Sequence, residues 1–210
     1  MPLPNGIDPW GRIQPTCPAA EYMGNRGILH GADGVVTRPW KNTAWVTCAL
    51  HYGGRNRRPL MQPNRYSELF FLDEATSFAA GHRPCGECRK EQYRSFKAAW
   101  FATQNVADMA NAIAAIDKSL HSSRVTALRA KKTFQSSLEE LPHGAIFEHA
   151  GNAYLHWQDG PLRWTATGYQ RPAERLATSE KVHVLTPQPL VDVIRWGYPV
   201  QVHKSASEGA

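Results

Sequence analysis

Residues 72–89 read LDEATSFAAGHRPCGECR, and this stretch decides how the surrounding chain folds. Asp73 is a favourable N-terminal cap for a short helix, and Gly81 can end that helix in the left-handed conformation. Cys85 and Cys88 follow in a Cys-x-x-Cys arrangement, which is the spacing of half a zinc site. The stretch therefore predicts a short helix, a cysteine knuckle and a longer helix that begins beside Cys88.

This segment resembles the zinc-binding domain of the Ada family of DNA-repair proteins. In that family a small helix leads through Ala-Gly-aromatic-Arg-Pro-Cys-x-x-Cys-Arg, and the same order runs here from Asp73 to Arg89. The resemblance extends more weakly over residues 45–90. It implies an Ada-like zinc module, a zinc cofactor and DNA as the partner.

The Ada-like domain also has an earlier pair of metal ligands, spaced Cys-x-x-x-Cys on a β-hairpin. Cys48 stands at the corresponding place here, but its partner cysteine is missing. The resemblance therefore implies three thiolate ligands, Cys48, Cys85 and Cys88. We rank His51 first as the fourth ligand because it is nearest to Cys48 in sequence. The alternatives are Cys17, His30 and His82.

Composition and charge favour a polyanionic partner. The chain has 210 residues, a formal net charge of +6 and only four cysteines. Four cysteines are too few for a secreted disulfide scaffold, so a reducing, bacterial-type cytoplasm is expected. No segment has the length and apolarity of a membrane span, so no membrane partner is expected.

Basic residues cluster in sequence around the predicted zinc site. Three arginines lie in the Gly-flanked loop of residues 53–59, and the remainder flank the knuckle. The predicted nucleic-acid contacts are Arg55, Arg57, Arg58, Arg65, Arg83, Arg89 and Lys90. Guanidinium groups match phosphate oxygens, and the nearby rings of Trp45, Tyr52 and Tyr66 can stack on bases. A solvated, arginine-rich turn is the alternative interpretation.

The hydrophobic periodicity predicts an α+β fold in three parts. Residues 1–100 form an N-terminal arm, irregular over residues 1–44, and the Ada-like module. Residues 101–140 form a helical segment, and residues 141–205 a small antiparallel sheet or partial barrel with hairpin turns at residues 150–152 and 158–160. The predicted helices after the knuckle cover residues 89–101, 106–120, 123–134 and 187–196. The predicted strands beyond residue 140 cover residues 145–148, 153–157, 162–165, 181–185 and 198–203.

Missing motifs exclude several enzyme classes. The chain has no Gly-x-x-x-x-Gly-Lys phosphate loop, no Gly-x-Ser-x-Gly elbow and no helical His-x-x-x-His. No His-x-Glu or Cys-x-Glu precedes the knuckle, as a zinc-dependent nucleobase deaminase would require.

Three functional hypotheses remain. The first is a zinc-stabilised nucleic-acid-binding protein of DNA-repair or modified-DNA-processing type, in which the zinc is a closed scaffold. The second is a single-use acceptor, in which Cys48 takes a methyl group from a DNA phosphotriester. The third is an enzyme acting on a small molecule. We expect the first, with Cys48 as a structural ligand.

Overall fold

The structure is a computed structural model that describes residues 4–15, 17–54, 58–104, 112–173 and 176–208 of the chain. Those residues form two six-stranded sheets and five α-helices, so the fold is α+β, as predicted. None of these helices is both long and apolar enough to cross a membrane.

The first sheet is built from the part of the chain that ends at the knuckle. Its six strands are β1 (Gly6–Ile7), β2 (Ile13–Gln14), β3 (Tyr22–Asn25), β4 (Val46–Ala49), β5 (Leu69–Phe71) and β6 (Arg83–Pro84). They lie in the order β2, β1, β5, β3, β4, β6, with β1 parallel to β5 and β4 parallel to β6. The prediction of an irregular arm over residues 1–44 is therefore wrong for β1, β2 and β3. These strands are too short to show a local alternation, and β3 is defined by partners far along the chain, β4 and β5.

The second sheet is antiparallel throughout, as predicted for the carboxy-terminal region. Its strands are β7 (Phe134–Ser137), β8 (Ile146–His149), β9 (Asn152–Leu155), β10 (Leu162–Thr165), β11 (Gly168–Gln170) and β12 (Lys181–Val184), in the order β11, β10, β9, β8, β12, β7. The predicted turns at residues 150–152 and 158–160 are confirmed, because they connect β8 to β9 and β9 to β10.

The first helix begins and ends at the capping residues that the sequence predicts. The helices are α1 (Glu74–Ala79), α2 (Lys90–Gln104), α3 (Ala112–Arg124), α4 (Gln188–Arg195) and α5 (Ser205–Glu208), with a 3-10 helix at Leu138–Glu140. The predicted cap is confirmed, since the Asp73 carboxylate accepts a hydrogen bond of 2.7 Å from the Thr76 amide. Gly81 ends the turn after α1 with φ +87°, in the left-handed region.

Helix α1 is central to the core. All six of its residues are buried, and Ala75 and Ala79 pack in one cluster with Ile146 and Leu155 of the second sheet. The Asp73 carboxylate also accepts hydrogen bonds from the Tyr169 hydroxyl, at 2.8 Å, and from a backbone amide of the carboxy-terminal tail, at 3.0 Å. Helix α1 and its cap are therefore packed against the second sheet and the carboxy-terminal tail.

Two predicted elements are wrong. The helix expected over residues 123–134 does not form, because α3 ends at Arg124 and the chain turns back through a bridge between Val125 and Lys131. Residues from Phe134 then pair with β12, and this pairing overrides the local helical pattern. Residues 198–203, which were expected to form a strand, are irregular instead. Side chains supply some of their backbone hydrogen bonds, since the Gln201 amide donates to the Glu74 carboxylate at 3.0 Å.

Candidate metal centre and cationic cleft

Three cysteines gather at the end of the parallel pair β4 and β6. The Sγ atoms of Cys48, Cys85 and Cys88 all lie within 4.8 Å of one another. The register that places them together is fixed by the Cys85 amide, which donates to the Thr47 carbonyl at 2.9 Å. Tetrahedral zinc with Zn–S bonds of about 2.3 Å needs sulfurs about 3.8 Å apart. The three thiols are therefore close enough to hold one metal ion.

The surroundings of these sulfurs favour a thiolate at Cys85. The Ala49 amide approaches the Cys88 sulfur at 3.4 Å, and the Glu87 amide approaches the Cys85 sulfur at 3.5 Å. A hydrogen bond from the Cys48 thiol lowers the pKa of Cys85 to about 5. The same bond, together with burial, raises the pKa of Cys48. Burial raises the pKa of Cys88 as well. Without a cation, Cys48 and Cys88 therefore keep their protons, and a bound metal would displace them.

The fourth ligand is not assembled with the three thiols. All nine histidines and four cysteines of the chain fall inside the described ranges, and the group contains only three of them. His51 is exposed and does not belong to the group. Cys17 is buried elsewhere, with its thiol directed at the Ala166 carbonyl at 3.4 Å. His30 contacts the Ser67 hydroxyl at 2.5 Å, and His82 accepts a hydrogen bond from Arg26.

The predicted phosphate contacts divide into three sets. Arg55 and Arg57 lie outside the described residues. Arg58, Arg65 and Lys90 are exposed, as a phosphate contact requires.

Arg83 and Arg89, in contrast, are internal. Arg83 forms a two-pronged ion pair with Asp117, at 2.7 and 2.8 Å. Arg89 pairs with Glu74 at 2.8 Å and lies over the Tyr22 ring at 4.5 Å. Because a carboxylate already balances the charge of each guanidinium group, neither arginine is available to a phosphate.

A second candidate site, which the sequence did not predict, opens at the other end of β4. This cationic cleft has a volume of about 610 Å³. Among the described residues, its lining contains six cationic side chains, three tryptophans and no carboxylate, the members being Trp10, Arg12, Arg26, Arg38, Trp40, Trp45, Arg124, Arg129 and Lys131. The volume lies within the range of single-ligand pockets in proteins.

The floor of the cleft consists of Arg26, Trp45, Arg124 and Lys131. The guanidinium carbons of Arg26 and Arg124 lie 4.1 and 3.8 Å from the centre of the Trp45 ring. Both arginines are only 1% exposed. Backbone carbonyls hold them in place, since Arg26 donates to the Gly11 carbonyl at 2.9 Å and Arg124 to the Gly81 carbonyl at 2.7 Å. A Cβ atom on Gly81 would lie 2.6 Å from the Arg124 side chain, so this packing requires glycine.

Burial disfavours the charged forms of the side chains at the floor. It lowers the pKa of Lys131 to about 7, and neighbouring Arg26 lowers it further in the same direction. The Lys131 amine donates to the Ala79 carbonyl at 2.5 Å. His82 stays neutral, because burial and then Arg26 hold its pKa well below the usual value. The charge of Asp8 acts in the opposite direction on Arg26 and Lys131, but Asp8 forms an ion pair with neither.

The rim of the cleft consists of Trp10, Arg12, Trp40 and Arg129. Arg12 lies over the Trp10 ring and Arg129 over the Trp40 ring, each with its guanidinium carbon 5.3 Å from the ring centre. Both arginines are exposed, and both tryptophans are half-buried. The rim therefore offers planar, apolar surfaces beside movable positive charges.

Sequence reasoning missed the cleft because its residues come from four separate segments. The predicted helix over residues 123–134 places Arg124, Arg129 and Lys131 on one polar helix face. The structure instead brings Lys131 back to the end of α3, with Arg129 in the left-handed region at φ +62°. The tryptophans and arginines before residue 46 could have indicated a binding surface, but the prediction of an irregular arm gave them no role.

Comparisons with protein families, with characterised proteins and with solved structures give no match to this chain.

Proposed function

We propose that this chain is a zinc-stabilised protein that binds nucleic acid, with DNA as the favoured partner, and that it acts in DNA repair or in the processing of modified DNA. The observation that carries the proposal is the cationic cleft, whose lining, in the part of the chain that the structure describes, has six cationic groups and no carboxylate. Lysine and arginine neutralise phosphates, and exposed aromatic rings stack on bases. The isoelectric point near 9.3 supports the same partner class.

Zinc has a scaffolding role in this proposal. Cys48, Cys85 and Cys88 would hold it, and the ion would stabilise the thiolates together. Because β4 carries Cys48 and the knuckle carries the other two, the ion would tie strand β4 to the start of α2. Free thiols at all four cysteines suit a reducing, bacterial-type cytoplasm.

The metal component is tested by elemental analysis of protein purified without chelator. We expect one zinc per chain, lost in both Cys48→Ser and Cys85→Ser together with thermal stability, because the binding energy of structural zinc is folding energy. A folded Cys48→Ser protein that retains its metal, while the wild type gains a methyl group at Cys48 from methylated DNA, would instead identify a methyl acceptor.

The nucleic-acid component is tested by fluorescence anisotropy with labelled single-stranded DNA, duplex DNA and RNA over a range of salt concentrations. The test variant is Arg38→Gln combined with Arg129→Gln, since both side chains are exposed at the cleft. The matched control is Arg163→Gln combined with Lys181→Gln, which removes the same charge from exposed positions of the second sheet.

The cleft variant should bind more weakly to every sequence. Its slope of log K against log salt should fall by about 0.7 per lost contact on single strands and about 0.9 on duplexes. The control should keep most of the wild-type slope. Equal slopes in the two variants would mean that the cleft is not the binding surface.

A further inference from the structure

Four arginines are buried among the residues that the structure describes, and they differ in how their charge is balanced. Arg83 and Arg89 are 6% and 4% exposed, and each is paired with a carboxylate. Arg26 and Arg124, at the floor of the cleft, are 1% exposed. Within the described part of the chain neither forms an ion pair with a carboxylate. The two arginines with no anionic partner are thus the two that line the cleft.

Both side chains also have polar atoms without a hydrogen-bond partner, as Arg89 does, but Arg89 has the Glu74 carboxylate beside it. Nη2 of Arg26 and Nε of Arg124 are fully buried, and neither makes a hydrogen bond. Nη2 of Arg26 lies beside Gly11, a lining residue, since a Cβ atom built there would be 3.4 Å from it. The other nitrogens of both guanidinium groups donate to backbone carbonyls or to His82 and His121. The unused donors therefore belong to side chains that are already fixed in position.

An unpaired buried charge is unfavourable, and so is a buried donor without an acceptor. A bound anion in the cleft would relieve the first cost, because it brings negative charge next to the two guanidinium groups that line it. Phosphate matches guanidinium groups in this way. The Lys131 amine at the floor adds a third cationic group to the same place.

We propose that the floor of the cleft binds the terminal phosphate of a single nucleotide, whose base stacks on the tryptophans of the rim. The ligand is a ring-bearing phosphate, since the rim supplies Trp10 and Trp40 next to the cationic floor. The volume of about 610 Å³ suits one small ligand and not a duplex. The part of this inference that concerns DNA rests on the proposed function, because the same chemistry occurs in a free nucleotide and at the phosphorylated end of a strand.

The first experiment uses isothermal titration calorimetry of the full chain with inorganic phosphate, adenosine and AMP. AMP should bind at least about tenfold more tightly than either of the other two, because only AMP uses both the floor and the rim. Lys131→Met should weaken AMP binding by about tenfold, since it removes a charged donor from the floor. The control Arg163→Gln should leave AMP binding unchanged.

Arg124→Lys provides a second variant for the case in which Lys131→Met alters the fold. It keeps the positive charge but loses the planar donor set, so AMP affinity should fall while adenosine affinity stays the same. Circular dichroism verifies that each variant is folded. Equal affinity of wild type and both folded variants for AMP would overturn the proposal.

The second experiment separates the sources of the phosphate. Single-stranded oligonucleotides with a phosphate at the 5′ end, at the 3′ end or at neither are compared by anisotropy. A preference for one phosphorylated end that disappears in Lys131→Met supports a strand end as the ligand.

Binding of AMP without binding of any oligonucleotide supports the phosphate site with a free nucleotide as its ligand, and contradicts the proposed function. Binding of all oligonucleotides irrespective of their ends, without binding of AMP, overturns the terminal-phosphate site and leaves the proposed function intact.

Discussion

The variant Asp117→Asn should destabilise the protein by about 3–5 kcal/mol, because it leaves Arg83 as a buried charge without its partner. The side chains of Arg83 and Asp117 are only 7% and 10% exposed, so little solvent screens their interaction. Both oxygens of the carboxylate accept from the guanidinium group, at 2.7 and 2.8 Å. The pair joins strand β6, just before the knuckle, to helix α3.

Thermal unfolding by circular dichroism measures this effect. For a chain of this size, 1 kcal/mol shifts the melting temperature by about 2–4 °C, so Asp117→Asn should lower it by about 6–20 °C. The control is Asp159→Asn, because the Asp159 carboxylate is 64% exposed and pairs with Arg171 only at 3.8 Å. Its effect should stay within about 0.5 kcal/mol.

The double variant Arg83→Met with Asp117→Leu separates the charge from the packing. Replacement of a buried ion pair by apolar side chains is often nearly neutral, so the double variant should recover most of the lost stability. DNA binding by the double variant should depend on salt as it does in the wild type, since Arg83 does not reach solvent. A melting temperature of Asp117→Asn within about 2 °C of the control would refute the internal role of the pair.

Three further predictions concern groups that the structure buries. Between pH 7 and 8.5 the folding free energy should become more favourable as pH rises. The reason is that the Lys131 pKa is about 7 in the folded protein and near 10.5 in the unfolded chain, so the unfolded chain binds more protons in this range. Urea titrations at several pH values should show a flatter dependence of the unfolding free energy on pH in Lys131→Met. Cys17→Ser should retain its full metal content by elemental analysis, because the Cys17 thiol lies in the core and not among the three gathered sulfurs. Asp73→Asn should lose about 2–4 kcal/mol in urea unfolding, more than Tyr169→Phe, because the carboxylate accepts from the helix, the Tyr169 hydroxyl and the tail at once.

Opposite outcomes would be equally informative. An unchanged pH dependence in Lys131→Met would place the Lys131 amine in solvent. Loss of metal in Cys17→Ser would make Cys17 a ligand. A larger effect of Tyr169→Phe than of Asp73→Asn would show that the hydroxyl serves another partner.

The sequence predicts those features whose cause is local. The short helix and the start of α2 can be predicted from the local sequence, because Asp73, Gly81 and the knuckle lie within a few residues of the contacts that define them. The hairpins of the second sheet are predicted for the same reason, since each turn lies between the strands that it connects. The gathering of Cys48 with the knuckle is expected only from the resemblance, which implies that the three cysteines share a metal; the pairing of β4 with β6 that brings them together is not predicted.

The remaining features depend on contacts between distant residues. Tyr169 and Asp73 are 96 positions apart, and Arg124 reaches the Thr43 carbonyl across 81 positions. No pattern in the sequence reveals that Arg83 faces Asp117 while Arg124 faces an open cleft, because both arginines follow similar local sequences of mixed polarity. Whether an arginine is a structural cation or a ligand-binding one is decided by its tertiary partner.

The metal centre and the cleft are connected by the same two strands. Trp45 precedes Cys48 in the chain by three residues, as His82 precedes Cys85, so the two sites lie about 10 Å apart along the parallel pair β4 and β6. The pairing contains only the partners Val46 with Arg83 and Thr47 with Pro84, and proline cannot donate to the ladder. So short a ladder is weak, and a metal ion bound across Cys48 and Cys85 would fix its register from one end. The ion would therefore support anion binding in the cleft by holding Trp45, and the arginines packed against it, in place.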